Sequence, residues 1–257
     1  MTRVLITGGS GTLGSQVAKQ LLAQGYTVRI LSRSAKPTIP GVEWAQAELE
    51  TGNGVTDALV GVDTLVHSAS SPTKTAQVDV EGTKPLLDMA KQAGVNHFLY
   101  ISIVGIDKIP LPYYTLKLET EKVVMNGGVP WSILRITQFH TLIDTMFGGL
   151  TKLPLIGLLP AHLKFQPIDP RDAAVGVCEV VKSGAVGRAP DIGGPEVLDT
   201  HQLIRQWLAA RHMRKAMLPI PVPGKIAAGY RQGLNTIPTN RYGKITWGEW
   251  LKQTYAG

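Results

Sequence analysis

The chain has 257 residues, 44% of them apolar and 18% charged, with a net charge of +7 at neutral pH. The apolar fraction excludes a disordered chain, and the lack of a repeating glycine period excludes a collagen-like one. A lone cysteine, Cys178, excludes an internal disulfide and a cysteine zinc cluster, so any chemistry comes from other residues.

The predicted elements begin with a short β-branched run, VLIT after Arg3, that stops at glycines. A helix follows over 14–24, with Val17, Ala18, Leu21 and Leu22 at helical spacing and Gly25 as its C-terminal stop. TVRILS is a second strand. The alternation continues with a strand over 42–47, a helix over 55–60, a strand over 63–67 and a helix over 78–93. Pro85 lies inside that last helix and would remove a backbone hydrogen bond, so the helix kinks or starts late. Next come a strand over 97–102, a helix over 114–125 and a strand over 131–136. Strands alternating with helices imply a doubly wound α/β fold, a parallel sheet covered on both faces.

Beyond Thr137 the rhythm changes to proline-rich, loop-like stretches. A helix is expected over 201–213, and a last one from Thr246, where Thr246 and Glu249 have the spacing of a capping box. The whole chain reads as one domain, 1–257, with substrate-lobe segments from about 138–165 and 190–257. The beginning MTRVLITGGS has no basic segment followed by a long apolar stretch, which leads to the expectation of a cytoplasmic protein. The longest apolar run, 153–163, is too short to span a bilayer and contains Pro154 and Pro160, so no membrane span is expected.

Charge is regional. Residues 200–257 hold nine basic side chains and one acidic one, whereas residues 1–199 are nearly balanced. An anionic partner is one reading and a solvated basic face the other; no nucleic-acid motif accompanies the charges, so nucleic acid is not expected as a partner.

The most informative local pattern is the turn after the first strand. Gly9, Gly11 and Gly14 satisfy G-x-G-x-x-G, in the required order of strand, turn and helix. Glycines there permit a tight turn and close approach of a pyrophosphate to the helix N-terminus, through Gly8, Ser10, Gly11, Thr12, Leu13 and Gly14. Where an NAD-binding chain carries a ribose-binding carboxylate, this one has Arg33 beside Ser32 and near Lys36. A guanidinium suits a 2′-phosphate, so NADP(H) is expected over NAD(H).

The TGGSGTLG turn, HSAS at 67–70, VDVEGT at 78–83, YIS at 100–102, Tyr113-x-x-x-Lys117, DPRDAA at 169–174 and GGPEVL at 193–198 together resemble the extended and atypical short-chain dehydrogenase/reductase superfamily. Within it the chain is most similar to the NmrA-like, NAD(P)H-binding branch. That resemblance implies a Rossmann-type sheet with a small C-terminal substrate lobe. It also implies acid–base chemistry by Tyr113, supported by Lys117, with Ser102 as the hydroxyl after the fifth strand. Tyr114 competes with Tyr113 for the role, because three residues also share a helix face. The alternative is that the aromatics merely pack and Lys117 pairs with Glu121. The superfamily usually places a Ser or Thr just after that strand, often within a run of two or three hydroxyl residues, and here Ser102 is followed by Ile103 and Val104.

Further contacts are carried over by the resemblance alone. Ser68, Ala69 and Ser70 border the cofactor, Glu48 and Leu49 stand near the adenine, and Gln138 and Phe139 lie beside the nicotinamide. Phe139 would wall the ring and His140 face substrate. Independently of the resemblance, the stretch 142–165 is apolar and poor in charge, so with Met146 and Phe147 it reads as a lid facing an apolar substrate or, alternatively, as core or a subunit contact. The resulting expectation is an NADP(H)-dependent reductase of a small apolar carbonyl or quinone-like substrate. A non-catalytic NADP-sensing regulator is the second reading, and a nucleotide-sugar epimerase or dehydratase ranks third. A monomer or homodimer and no metal are expected.

Overall fold

The computed structural model describes residues 2–33, 39–70, 76–151 and 156–256. Lys36, Leu153 and Leu155 therefore lie outside the described residues. The chain divides into two compact units: 1–102 with 112–135 and 173–190, and 103–111 with 136–172 and 191–257.

The first unit is built on β1 (Arg3–Thr7), α1 (Thr12–Ala23), β2 (Thr27–Ser32), β3 (Glu43–Gln46), α2 (Val55–Ala58) and β4 (Thr64–His67). A π-helical turn at Ala76–Glu81 leads into α3 (Thr83–Gln92), followed by β5 (His97–Ile103), α4 (Pro112–Asn126) and β6 (Trp131–Ile136). The sheet order is β3-β2-β1-β4-β5-β6 and then β9 (Gly187–Arg188) at the far edge. Pairing is parallel, as at Val4↔Val28, Val4↔Thr64 and Thr64↔His97. This is the Rossmann-type arrangement that the alternation predicts. Leu5, Leu65, Phe98, Leu86, Leu87 and Ile133 are wholly buried in its core.

The helix expected over 78–93 does start late. Pro85 becomes the third residue of α3, where its missing N–H would have had no partner inside the helix. Likewise α4 begins on Pro112, a residue whose fixed φ suits a first helical position.

The second unit contains α5 (His140–Leu150), β7 (Ile156–Pro160), β8 (Lys164–Phe165), the start of α6 (Pro170–Ser183), β10 (Leu198–Asp199), α7 (Thr200–Ala210), β11 (Ala216–Ile220), α8 (Lys225–Gln232) and α9 (Trp247–Tyr255). Two small sheets form, β7 parallel to β11 and β8 antiparallel to β10. Trp207, Trp247, Phe147, Leu203 and Leu251 are the heart of its core. Thr246 caps α9 with Glu249 as the spacing predicts, and an unforeseen capping box of Asp199 and Gln202 starts α7 at Thr200. Helices α5, α6 and α8 replace much of what reads as loop. Ile143 and Phe147 give α5 a buried face of one turn, and Ala173, Ala174, Val177, Cys178 and Val181 do the same for α6. Among the described residues no helix is long and apolar enough to cross a membrane.

Candidate functional site

Five-residue β1 ends at Thr7, and the chain turns through Gly8 at φ +69 before α1 begins. A Cβ on Gly8 would stand 2.7 Å from the backbone nitrogen of Ala69, and one on Gly14 2.8 Å from Gly9 Cα. One on Gly9 would meet Ile30 at 2.7 Å. Those three glycines let turn, helix and sheet close together. Gly11 differs: its Cβ would touch only the Gly8 carbonyl, at 3.1 Å, and would otherwise face open space. Gly11 is also the N-cap of α1, with no side-chain cap and no acidic residue in the first helical turn. Ser10, Gly11 and Thr12 are exposed, whereas Leu13 is buried and offers only its backbone. An uncapped helix start beside an open glycine fits a pyrophosphate.

At the end of β2, Ser32 is half-buried and Arg33 exposed, and the Arg33 carbonyl accepts from Gln46 Nε2 at 3.2 Å. Glu48 accepts from the Thr51 hydroxyl at 3.0 Å, and Leu49 packs on the core.

Beyond β4, Ser68 Oγ donates to the Thr7 carbonyl at 2.7 Å and Ala69 N to Thr7 Oγ1 at 3.4 Å. His67 is wholly buried, its ring stacked on Tyr100. Burial, helped by the Lys117 charge, pushes its pKa down to about 3, so it is neutral. The same segment reaches α4: Ser70 Oγ lies 3.0 Å from the Tyr113 hydroxyl and donates to Asp79 Oδ2 at 3.1 Å.

Lys117, four residues after Tyr113 on α4, is buried. Its Nζ donates to Asp79 Oδ1 at 3.0 Å and to the Ile101 carbonyl at 3.2 Å, and lies 4.5 Å from the Tyr100 ring centre. Burial by itself would lower the Lys117 pKa, but Tyr100, Asp79 and Tyr113 together push it above its ordinary value. Tyr100 moves the other way from a base: burial raises its phenol to about 12. The pairing of Lys117 with Glu121 is overturned, because Glu121 is taken by Arg135 at 2.7 and 2.6 Å. Tyr114 is buried, whereas Tyr113 is part-exposed and holds the Ser70 contact.

Ser102 is buried, and its Oγ has no partner among the described residues. Asp79 and Tyr100 lie inside the segments VDVEGT and YIS, yet motif reading assigns neither a role in the site. Their signal was present in the sequence, as a carboxylate between two valines and a tyrosine inside an apolar strand.

In the second unit, Gln138 is buried and its Oε1 accepts from Asn235 Nδ2 at 3.2 Å. Phe139 is part-buried and bridges to Ile168. Two expectations need correction. His140 is 0% exposed, packed on Trp247 and Trp250, with Nε2 donating to the Ile245 carbonyl at 3.1 Å. Phe147 is buried edge-on against Trp207. Both are core, because the tryptophans arrive from helices far along the chain. Met146 is exposed. DPRDAA is a structural tie as well, since Asp172 accepts the backbone N–H groups of Lys244 and Ile245.

A family model described as NAD(P)H-binding matches residues 8–145. Among curated proteins, the chain is 28% identical over 209 residues to (4-alkanoyl-5-oxo-2,5-dihydrofuran-3-yl)methyl phosphate reductase of Streptomyces griseus, covering 79% of this chain and 72% of that one. It is 30% identical over 145 residues to photosystem II assembly factor Ycf39 of Cyanophora paradoxa, covering 53% of this chain but only 45% of the relative. Among solved structures, the NADPH-dependent quinone oxidoreductase QOR2 of Escherichia coli, bound to NADPH, superposes with a TM-score of 0.81 at 18% identity over 98% of this chain and 99% of that one.

Proposed function

The chain belongs to the NAD(P)H-binding family, and from that membership we propose that it is a cytoplasmic, NADP(H)-dependent reductase of a small apolar carbonyl or quinone-like substrate. The observation that carries this reading is the segment Ser68–Ser70. At one end its backbone backs the Gly8 turn, and at the other its serine meets Tyr113. The glycine turn and Tyr113 thus contact adjacent residues, Ala69 and Ser70, just after β4, which supports the reading.

When bound, a reduced nicotinamide supplies the hydride. The chain's own residues do the rest: Ser10, Gly11, Thr12 and the Leu13 backbone receive the pyrophosphate, and Arg33 with Ser32 meets the 2′-phosphate. Tyr113 passes its proton to the substrate oxygen, and Lys117 is the fixed positive charge beside it. Phe139 and Met146 remain the candidates for lining the substrate.

A second reading is favoured by one observation. Ser102 is buried, and Ile103 and Val104 offer no hydroxyl to hold a substrate oxygen, which suits a protein that binds NADP(H) without turning it over. The likeness to an assembly factor points the same way. The test is NADPH oxidation followed by absorbance with quinones and aromatic carbonyls, comparing wild type with Tyr113→Phe. Turnover lost on substitution supports the reductase. NADPH binding without turnover on any of these substrates moves the assignment to the binder.

A further inference from the structure

Tyr113 and Lys117 are joined through Ser70 and Asp79, neither of which has been given a part in the proton chemistry. Ser70 has a single hydroxyl proton, and that proton goes to Asp79 Oδ2, since a carboxylate oxygen can only accept. In the 3.0 Å contact between Ser70 and Tyr113, the phenol is therefore the donor. On its other oxygen, Asp79 takes the Lys117 ammonium at 3.0 Å, and the carboxylate is completely buried.

Two consequences follow for the phenol. The buried carboxylate balances the lysine charge, so a phenolate would gain less from Lys117 than from an unpaired ammonium. The neutral phenol has an acceptor in Ser70, whereas a phenolate would find the serine proton already committed to Asp79.

We infer that Asp79, acting through Ser70, is a positioning residue that keeps Tyr113 protonated and so sets the site to donate a proton, the direction of reduction. This rests on the reading of Tyr113 as the proton donor. The groups facing the pair are Asp79 on the π-helical turn, Ser70 after β4, neutral His67 on β4, and Tyr100 with the Ile101 carbonyl on β5. In the reduction, the phenol O–H bond breaks and its proton goes to the substrate oxygen. A bound reduced nicotinamide would supply the hydride for the new C–H bond, its own C–H bond breaking as it is oxidised, while the C=O π pair takes the phenol's proton; the Tyr113 phenolate is then reprotonated from water.

The test is a tyrosinate titration by ultraviolet difference absorbance on the whole chain without substrate, for wild type, Asp79→Asn, Ser70→Ala and Tyr113→Phe. The step missing in Tyr113→Phe identifies Tyr113. In Asp79→Asn that step moves down by about one pH unit or more, and in Ser70→Ala it moves in the same direction by less. An unchanged step in both variants overturns the inference. Should Asp79→Asn fail to fold, the exposed Ser70→Ala decides alone: a downward shift supports the inference and no shift overturns it. A shift without NADPH turnover keeps the assignment of Asp79 and removes the reductase reading; turnover without a shift does the reverse.

Discussion

His67 Nε2 lies 3.0 Å from the Thr83 hydroxyl, and the direction of that bond is decided by Thr83, whose own proton goes to the Asp79 carbonyl. Thr83 can therefore only accept, so His67 carries its proton on Nε2 and takes one from Thr7 Oγ1 on Nδ1, 2.7 Å away. The imidazole must stay neutral for this chain of bonds to stand.

A pH dependence of stability results. Burial holds His67 at about 3 and His97 at about 4, and lowers His140 as well. In the unfolded chain each returns to about 6.5. Below that pH the unfolded state binds protons that the fold refuses, so stability falls as pH drops from 6.5 toward 4, by up to about 1.4 kcal/mol per pH unit for each histidine. Above 6.5 these histidines contribute no slope. Melting temperatures measured from pH 8 down to about 4 should be level above 6.5 and then decline. His97→Gln, which keeps an N–H for Ser132, should make the decline shallower. Melting temperatures that stay level down to about pH 5 would refute this.

The glycines of the turn should separate by role. Gly14→Ala drives a Cβ into the backbone of Gly8 and Gly9, and should cost about 1–3 kcal/mol of stability. Gly11→Ala meets a single atom at 3.1 Å, so it should fold within about 1 kcal/mol of wild type while weakening NADPH about tenfold or more. Chemical denaturation and calorimetric NADPH binding check both. An Ala at 11 that binds NADPH normally would remove the pyrophosphate from that position.

Arg33 is the expected discriminator between the two dinucleotides. Arg33→Ser should weaken NADPH by about 10–100-fold, the value of one or two charged hydrogen bonds, and leave NADH unchanged. Equal loss for both cofactors would show that the 2′-phosphate lies elsewhere.

Glu121 and Arg135 form a buried fork, with Arg188 3.4 Å away as a second cation. Glu121→Gln leaves Arg135 with a neutral partner in a dry site, and should destabilise the chain by about 3–5 kcal/mol without changing the NADPH affinity of the folded fraction. Denaturant midpoints and binding titrations on the same preparation test it.

Some of this was open to reading in residue order alone. The strand VLIT, the glycine turn, the α1 stripe and the TVRILS strand depend on neighbours within one element or one turn, so local spacing determined them. The same holds for the break that Pro85 forces in the helix expected over 78–93, and for the Thr246–Glu249 cap, where the interacting groups are three residues apart. Three unforeseen helices of the C-terminal half had weaker local signals, with glycines and prolines breaking the pattern, and α5 owes its buried face to Trp207 and Trp247, far along the chain.

The glycine turn and the family resemblance carried by the sequence motifs put Tyr113, Lys117 and the glycines in one candidate site. Which groups those side chains meet was decided only by the tertiary structure, because each answer depends on elements distant in sequence. Asp79, not Glu121, neutralises Lys117, since the π-helical turn brings a buried carboxylate to it while Arg135 of β6 occupies Glu121. For the same reason His140 and Phe147, which local composition alone would leave facing a ligand, are enclosed by tryptophans that arrive 60 to 110 residues later in the chain. Periodicity reports which side of an element is apolar, but not what will cover it, and the cover is set by long-range packing.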